Sequence, residues 1–143
     1  MIKVLATNTT VVVIIIRLMV GAVFVSEGIQ KLLYPDAVGA GRFEKIGIPS
    51  PEIVAPVVAC FEVSCGTLVL VGAFTRLAVV PLIVIMLTAI ATTKVPILME
   101  QGFWKMAHEA RTDWSMLLGS IFLLVVGAGL WSLDAYWTRN RQP

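Results

Sequence analysis

Four long runs of apolar residues divide the chain, and each is long enough to cross a lipid bilayer as a helix. They cover approximately residues 11–33, 52–73, 77–98 and 114–137. At a rise of about 1.5 Å per residue, about 20 residues cross ~30 Å of hydrocarbon. The pattern therefore predicts an all-α fold, an integral membrane antiparallel four-helix bundle made by a single domain over residues 1–143.

Short polar segments between the runs predict where the helices end. Pro35 ends the first helix, because proline cannot continue a helix. Ser50 is predicted to cap the second helix with its hydroxyl. The turn at Thr75–Arg76 is so short that the second and third spans must be antiparallel neighbours. Two longer connections are predicted to lie at the membrane interface, at approximately 36–50 and 99–113.

The composition agrees with a membrane protein and excludes several other classes. Hydrophobic residues make up 58% of the chain and charged residues only 14%, whereas soluble domains are about 25% charged. The net charge of +2 is too small to suggest nucleic-acid binding. Arg17 interrupts the first run and no small-residue cleavage pattern follows, so we interpret this run as a retained span rather than a signal peptide.

The distribution of cations predicts a multi-pass protein of the cell (inner) membrane with both termini in the cytoplasm. A bare count of lysine and arginine favours the opposite orientation. On the face that holds the termini, however, the cations are concentrated in very short segments with almost no opposing acid. These residues are Lys3, Arg76, Arg139 and Arg141, against Asp134.

Charged residues inside the first two spans are the strongest functional signal. Each costs about 2.5–3.5 kcal/mol at bilayer depth, so such side chains face other helices. Arg17 and Lys31 share a stripe of the first helix about 80° wide with Gly21 and Gly28. Glu62 lies on a comparable glycine-bearing stripe of the second span. We expect the two stripes to meet.

The depths of these groups predict which of them pair. Counting 1.5 Å per residue from the span ends brings Arg17 within side-chain reach of Glu62, and Glu27 lies one turn before Lys31. We therefore predict an Arg17–Glu62 pair and a Glu27–Lys31 pair in a polar pocket that also takes in Lys94. The pocket opens away from the termini, and residues at its rim are Tyr34, His108 and Asp113.

Other interpretations of these residues remain open. Buried charges can fix helix pairing without binding anything. Asp113 suits a helix cap better than a pocket acid. His108 is the only histidine, which is weak evidence for haem, and no metal site is predicted. Cys60 and Cys65 point about 140° apart on one helix, so no disulfide between them is expected.

Several motifs together resemble the DoxX family of small four-span bacterial membrane proteins. Span one has Arg17 followed by G-x-x-F at 21–24 and G-x-x-K at 28–31, and the loop has I-G-I-P at 46–49. Span two has E-x-x-x-G at 62–66, and span four ends in G-x-G-x-x-S-L-D at 127–134. Ala128 stands where many relatives have proline, which predicts a less kinked fourth span.

The resemblance implies a membrane subunit associated in some lineages with quinone-coupled sulfur oxidation and with redox-stress complexes. It names no shared catalytic mechanism and no catalytic residue. The first hypothesis is therefore a subunit of a thiol or sulfur redox system, an oxidoreductase component that handles a quinone or another small amphipathic molecule in the charged pocket. No electron carrier is evident in the chain, so electrons would come from a partner protein or the substrate.

Two further hypotheses come from other functional classes. Buried charges at staggered depths would suit a carrier of protons or a small solute. A non-catalytic assembly or scaffold protein would use the same charges only to specify helix pairing. The sequence leaves open whether the chain forms a homo-oligomer.

Overall fold

The computed structural model describes residues 11–140, and no strand occurs among them. Lys3 and Arg141, used above to predict orientation, lie outside the described residues. The helices are α1 Val13–Leu33, α2 Pro35–Val38, α3 Ala40–Lys45, α4 Pro51–Val71, α5 Thr75–Ala89, a π-helical segment Ile90–Lys94, α6 Val95–Gln101, α7 Phe103–Glu109, α8 Arg111–Val126 and α9 Leu133–Arg139.

Within residues 11–140, three helices are long and apolar enough to cross a membrane. They are α1, α4 and the continuous helix Thr75–Gln101 formed by α5, the π-helical segment and α6. The third of these extends three residues beyond the predicted limit at residue 98. Helices α4 and α5 are joined by three residues and pack on one another, which confirms the antiparallel arrangement predicted from the short turn.

The fourth apolar run is interrupted rather than straight. Helix α8 ends at Val126 after 16 residues, and α9 begins at Leu133. Gly127 and Gly129 have φ angles of 89° and 80°, and a right-handed α-helix cannot continue through residues with such positive angles. The expectation of a less kinked segment at this place was wrong, because the two glycines end the helix without a proline.

Helices α1 and α4 pack closely on one another through glycines on both. A Cβ atom at Gly28 would lie 2.7 Å from the carbonyl oxygen of Ala59, and one at Gly21 would lie 2.8 Å from that of Gly66. Backbones this close require small residues at the contact. The prediction that the two glycine-bearing stripes meet is confirmed.

The four longest helical elements contact one another in a ring, α1 with α4, α4 with α5, α5 with α8 and α8 with α1. The main hydrophobic core lies between them and includes Phe24, Val69, Leu82 and Leu123. We call the face with the α4–α5 turn and α9 side A, and the face with α3 and α7 side B.

A smaller core lies on side B. Phe43 and Ala40 of α3 pack on Ala55 near the start of α4. Ser50 is the N-cap residue of α4, but its φ of 52° is left-handed and its side chain makes no capping hydrogen bond, so the predicted hydroxyl cap is wrong. The short helix α3 thus covers one flank of the bundle on side B.

Candidate functional site

A cavity of about 850 Å³ lies within the side-B half of the bundle. Its wall is built from α1 to α5, the π-helical segment, α7 and α8, together with the loop before α4. Most of the wall is apolar and includes Phe24, Phe43 and Met116. The polar residues of the wall are Glu27, Lys31, Arg42, Glu62, Thr88, Thr92, Thr93, Lys94, Glu109, Thr112 and Asp113.

One buried ion pair joins α1 to α4 at the cavity. The Nζ atom of Lys31 lies 2.8 Å from Oε2 of Glu62 and donates a hydrogen bond of 3.0 Å to Oε1. Glu62 is only 2% exposed. Glu27, whose side chain is 52% exposed, lies 3.6 Å from the same ammonium group, as the predicted Glu27–Lys31 pair requires. Lys31 therefore connects a buried carboxylate with a more exposed one.

The predicted Arg17–Glu62 pair is wrong. Arg17 is 2% exposed, does not line the cavity, and donates hydrogen bonds to four backbone carbonyl groups. Two belong to the end of α4, and two belong to the interruption between α8 and α9. The acceptors are the oxygens of Val69 at 3.0 Å, Leu70 at 2.6 Å, Ala128 at 3.2 Å and Trp131 at 2.5 Å.

The glycine contacts explain the error. A Cβ at Gly28 would lie 3.0 Å from Cβ of Glu62, so these two residues are at one level. Arg17 is eleven residues before Gly28, which is about 16 Å along the helix axis. That distance exceeds the combined reach of the two side chains. Arg17 instead donates to carbonyl groups at the end of α4 and in the interruption between α8 and α9, where helical hydrogen bonding is incomplete.

A second ion pair crosses the cavity wall between the π-helical segment and α8. Nζ of Lys94 lies 3.3 Å from Oδ2 of Asp113, and Lys94 is 8% exposed. Asp113 therefore lies in the pocket wall, and the cap preferred from sequence is wrong, since Ala110 occupies the N-cap position of α8. π-Helical turns occur often at functional sites.

The predicted rim residues Tyr34 and His108 do not line the cavity. Tyr34 is 60% exposed, and His108 is exposed on α7. Glu109, the residue next to His108, does line it. A 3.1 Å hydrogen bond from Lys105 lowers the pKa of Glu109 below its usual value, so this carboxylate is ionised at neutral pH.

Both Cys60 and Cys65 are free thiols, as expected from their spacing.

Sequence reasoning missed the structural role of Asp134. This residue is 2% exposed, and its carboxylate accepts hydrogen bonds from the N–H groups of Phe74 at 2.7 Å and Thr75 at 3.0 Å. It therefore caps the first turn of α5 from a distant part of the chain. The available signal was an acid at the end of a Ser-Leu-Asp motif, inside the fourth apolar run.

Comparison with known proteins agrees with this architecture. The family model described as DoxX matches residues 12–95. The chain belongs to the DoxX family. It is also 57% identical over 128 residues to the uncharacterized membrane protein Rv3486 of Mycobacterium tuberculosis (strain ATCC 25618 / H37Rv), covering 85% of this chain and 78% of that protein. No solved structure shows significant similarity. The matched residues include both members of the Lys31–Glu62 pair and Lys94 of the second pair, whereas Asp113 lies outside the matched region.

Proposed function

We propose that this DoxX protein is a four-span protein of the inner membrane, with cytoplasmic termini, whose cavity binds a small amphipathic molecule for a thiol or sulfur redox system. A quinone is the first candidate. The observation that carries the proposal is an apolar cavity with the buried Lys31–Glu62 pair in its wall. Binding sites for small molecules combine a mostly apolar lining with a few convergent polar groups in this way.

The position of the two ion pairs supports binding rather than a purely structural role. Burying a charged pair costs several kcal/mol of desolvation per ion, and apolar residues would fill the same volume at no such cost. Arg17 lies apart from the cavity and satisfies only backbone groups, which suits structural stabilisation. Lys31 and Glu62 instead border open volume.

The chemistry available at the cavity fits an oxidoreductase subunit. The ammonium group of Lys31 can donate a hydrogen bond to a carbonyl oxygen, and Glu62 can accept or deliver a proton. Glu27 extends this set toward the more exposed end of the cavity. Electrons would enter from a partner protein or from the thiol substrate itself.

The side-A half of the bundle favours this function over a carrier. Below the cavity, Val20, Val69, Val79 and Leu123 are 0% exposed. Beneath that apolar layer, hydrogen bonds from Arg17 connect α1 to the end of α4 and to the interruption between α8 and α9. A conducting path would require this layer to separate, whereas binding from side B requires no such change.

The test is binding of a short-chain ubiquinone analogue to the protein in lipid nanodiscs, with Glu62→Gln as the variant. Removing the carboxylate leaves Lys31 without its buried ion-pair partner and changes the hydrogen bonding of the cavity wall. The dissociation constant of the analogue should therefore change by about tenfold. Glu52→Gln is the matched control, because Glu52 is an exposed residue in the first turn of the same helix. Wild-type protein that binds no analogue above empty nanodiscs would contradict the proposal for quinones.

A further inference from the structure

The cavity wall contains a second lysine–carboxylate pair, built from other helices than the Lys31–Glu62 pair. Lys94 belongs to the π-helical segment and is 8% exposed, and its Nζ lies 3.3 Å from Oδ2 of Asp113 on α8. All four residues line the same cavity. The first pair joins α1 to α4, whereas the second joins the π-helical segment to α8, so no helix contributes to both.

The two pairs lie at nearly the same depth in the bundle. Glu62 is level with Gly28 of α1, because a Cβ atom at Gly28 would lie 3.0 Å from Cβ of Glu62. One at Gly119 of α8 would lie 2.7 Å from Cγ2 of Val20, which brings these two residues to one level. Gly28 lies about 12 Å beyond Val20 toward side B, and Asp113 lies about 9 Å beyond the level of Val20 in the same direction. The two carboxylate residues therefore differ in depth by only about 3 Å.

Each ammonium group can also donate to a ligand. An ammonium group has three N–H donors. Within residues 11–140, Lys31 donates one hydrogen bond, to Oε1 of Glu62, and Lys94 makes its ion pair with Asp113. A ligand that enters the cavity displaces water from the other donors, and it loses affinity wherever it supplies no acceptor in return. The wall therefore favours a ligand with one acceptor for each lysine.

We infer that the ligand is held by both ion pairs at once, through two carbonyl oxygens at opposite ends of one ring, one bound by Lys31 and the other by Lys94. This inference rests on the proposed function and names the class of its ligand, a 1,4-dicarbonyl ring rather than a compound with a single carbonyl. It also makes Lys94 a ligand-binding residue. Because the pairs share one depth, the line between the two oxygens runs across the bundle, and apolar residues such as Phe24 and Met116 contact the ring.

The experiment compares two ligands of one shape that differ in a single acceptor. They are 2-decyl-3-methyl-1,4-naphthoquinone and 2-decyl-3-methylthiochromen-4-one, in which a ring sulfur replaces one carbonyl group. Both compete with the tritiated naphthoquinone for nanodisc-embedded protein in a scintillation proximity assay, and free concentrations are corrected for partition into empty nanodiscs. The naphthoquinone should bind about tenfold more tightly than the thiochromenone, the cost of one lost hydrogen bond to a charged donor.

Variants of Lys94 assign the second acceptor to its partner. Lys94→Met should weaken naphthoquinone binding about tenfold and leave thiochromenone binding nearly unchanged, because the single carbonyl of that compound can still bind Lys31. Unchanged thiochromenone binding also shows that the variant folds. Lys94→Arg keeps a donor and should keep the preference. Lys45→Met is the matched control, because Lys45 is an exposed residue of α3 outside the cavity wall.

The outcomes separate this inference from the proposed function. Equal affinity of the two ligands for wild-type protein, which needs no variant, would overturn the inference and leave quinone binding intact. A preference that persists in Lys94→Met, or equal weakening of both ligands by that substitution, would do the same, since Lys94 would then bind no acceptor of its own. Failure of the naphthoquinone to bind wild-type protein above empty nanodiscs would overturn both proposals.

Discussion

Lys31 of α1 and Glu62 of α4 lie 2.8 Å apart between Nζ and Oε2, at the level where Gly28 brings the two helices into backbone contact. The pair therefore lies where the two helix backbones pack directly on one another. Glu62 is 2% exposed, so its carboxylate depends on Lys31 for a partner. This dependence makes the pair sensitive to single substitutions and tolerant of paired ones.

We expect Lys31→Met to lower the free energy of unfolding by about 3 kcal/mol, because it leaves Glu62 buried without its partner. The double variant Lys31→Met/Glu62→Leu should recover most of that loss. Thermal unfolding in detergent, followed by circular dichroism, measures both. A single variant as stable as wild type would show that the pair contributes no coupling.

We expect Arg17→Lys to destabilise the protein by about 2 kcal/mol, since one ammonium group cannot reach four carbonyl oxygens that a planar guanidinium bridges. Ligand binding by the folded fraction should remain unchanged, because Arg17 lies outside the cavity wall. Unfolding curves and nanodisc binding on the same preparation separate the two effects. Altered affinity with normal stability would restore the pocket role predicted from sequence.

We expect Gly28→Ala to cost about 1–3 kcal/mol, because the added methyl group meets the backbone oxygen of Ala59, which can move only with α4. Ala22→Val adds bulk to an exposed position of the same helix and should have little effect. The difference in unfolding temperature between the two variants gives the measurement. Similar values for both would mean that α1 and α4 separate easily.

We expect Asp134→Ala to lower stability by about 1–2 kcal/mol, since the N–H groups of Phe74 and Thr75 lose their acceptor at the start of α5. Hydrogen exchange at these two amides, followed by mass spectrometry, should increase. Thr138→Val, which removes a hydroxyl bonded to Asp134 O on the same short helix, is the control. Unchanged protection at Phe74 would exclude the capping role.

The sequence was sufficient for the faces of the helices but not for their axial register. Periodicity places Arg17 and Lys31 on one stripe of α1, but it does not determine the axial position of α4 relative to that stripe. This position is set by the backbone contacts of Gly28 with Ala59 and of Gly21 with Gly66. Arg17 therefore lies about 16 Å along the helix axis from the level of Glu62, too far for the predicted pair.

Two changes of backbone conformation, at residues 127–132 and in the π-helical segment, could not be predicted from hydropathy. Residues 127–132 are apolar enough to continue a span, but hydropathy contains no information on φ, and the glycines there end the helix. In a straight α-helix, Lys94 would lie about 110° from the centre of the buried face of α5. The wider turn of the π-helical segment changes this direction, and Nζ of Lys94 lies 3.3 Å from Oδ2 of Asp113.

Two of the acceptors of Arg17 are synthesised long after it, and this has a consequence for biosynthesis. The carbonyl groups of Ala128 and Trp131 follow it by 111 and 114 residues. A ribosome has therefore delivered the first helix to the bilayer long before those carbonyl groups exist. Until they emerge, this arginine bonds only the end of α4, and the newly inserted protein completes this network when Ala128 and Trp131 reach the first helix.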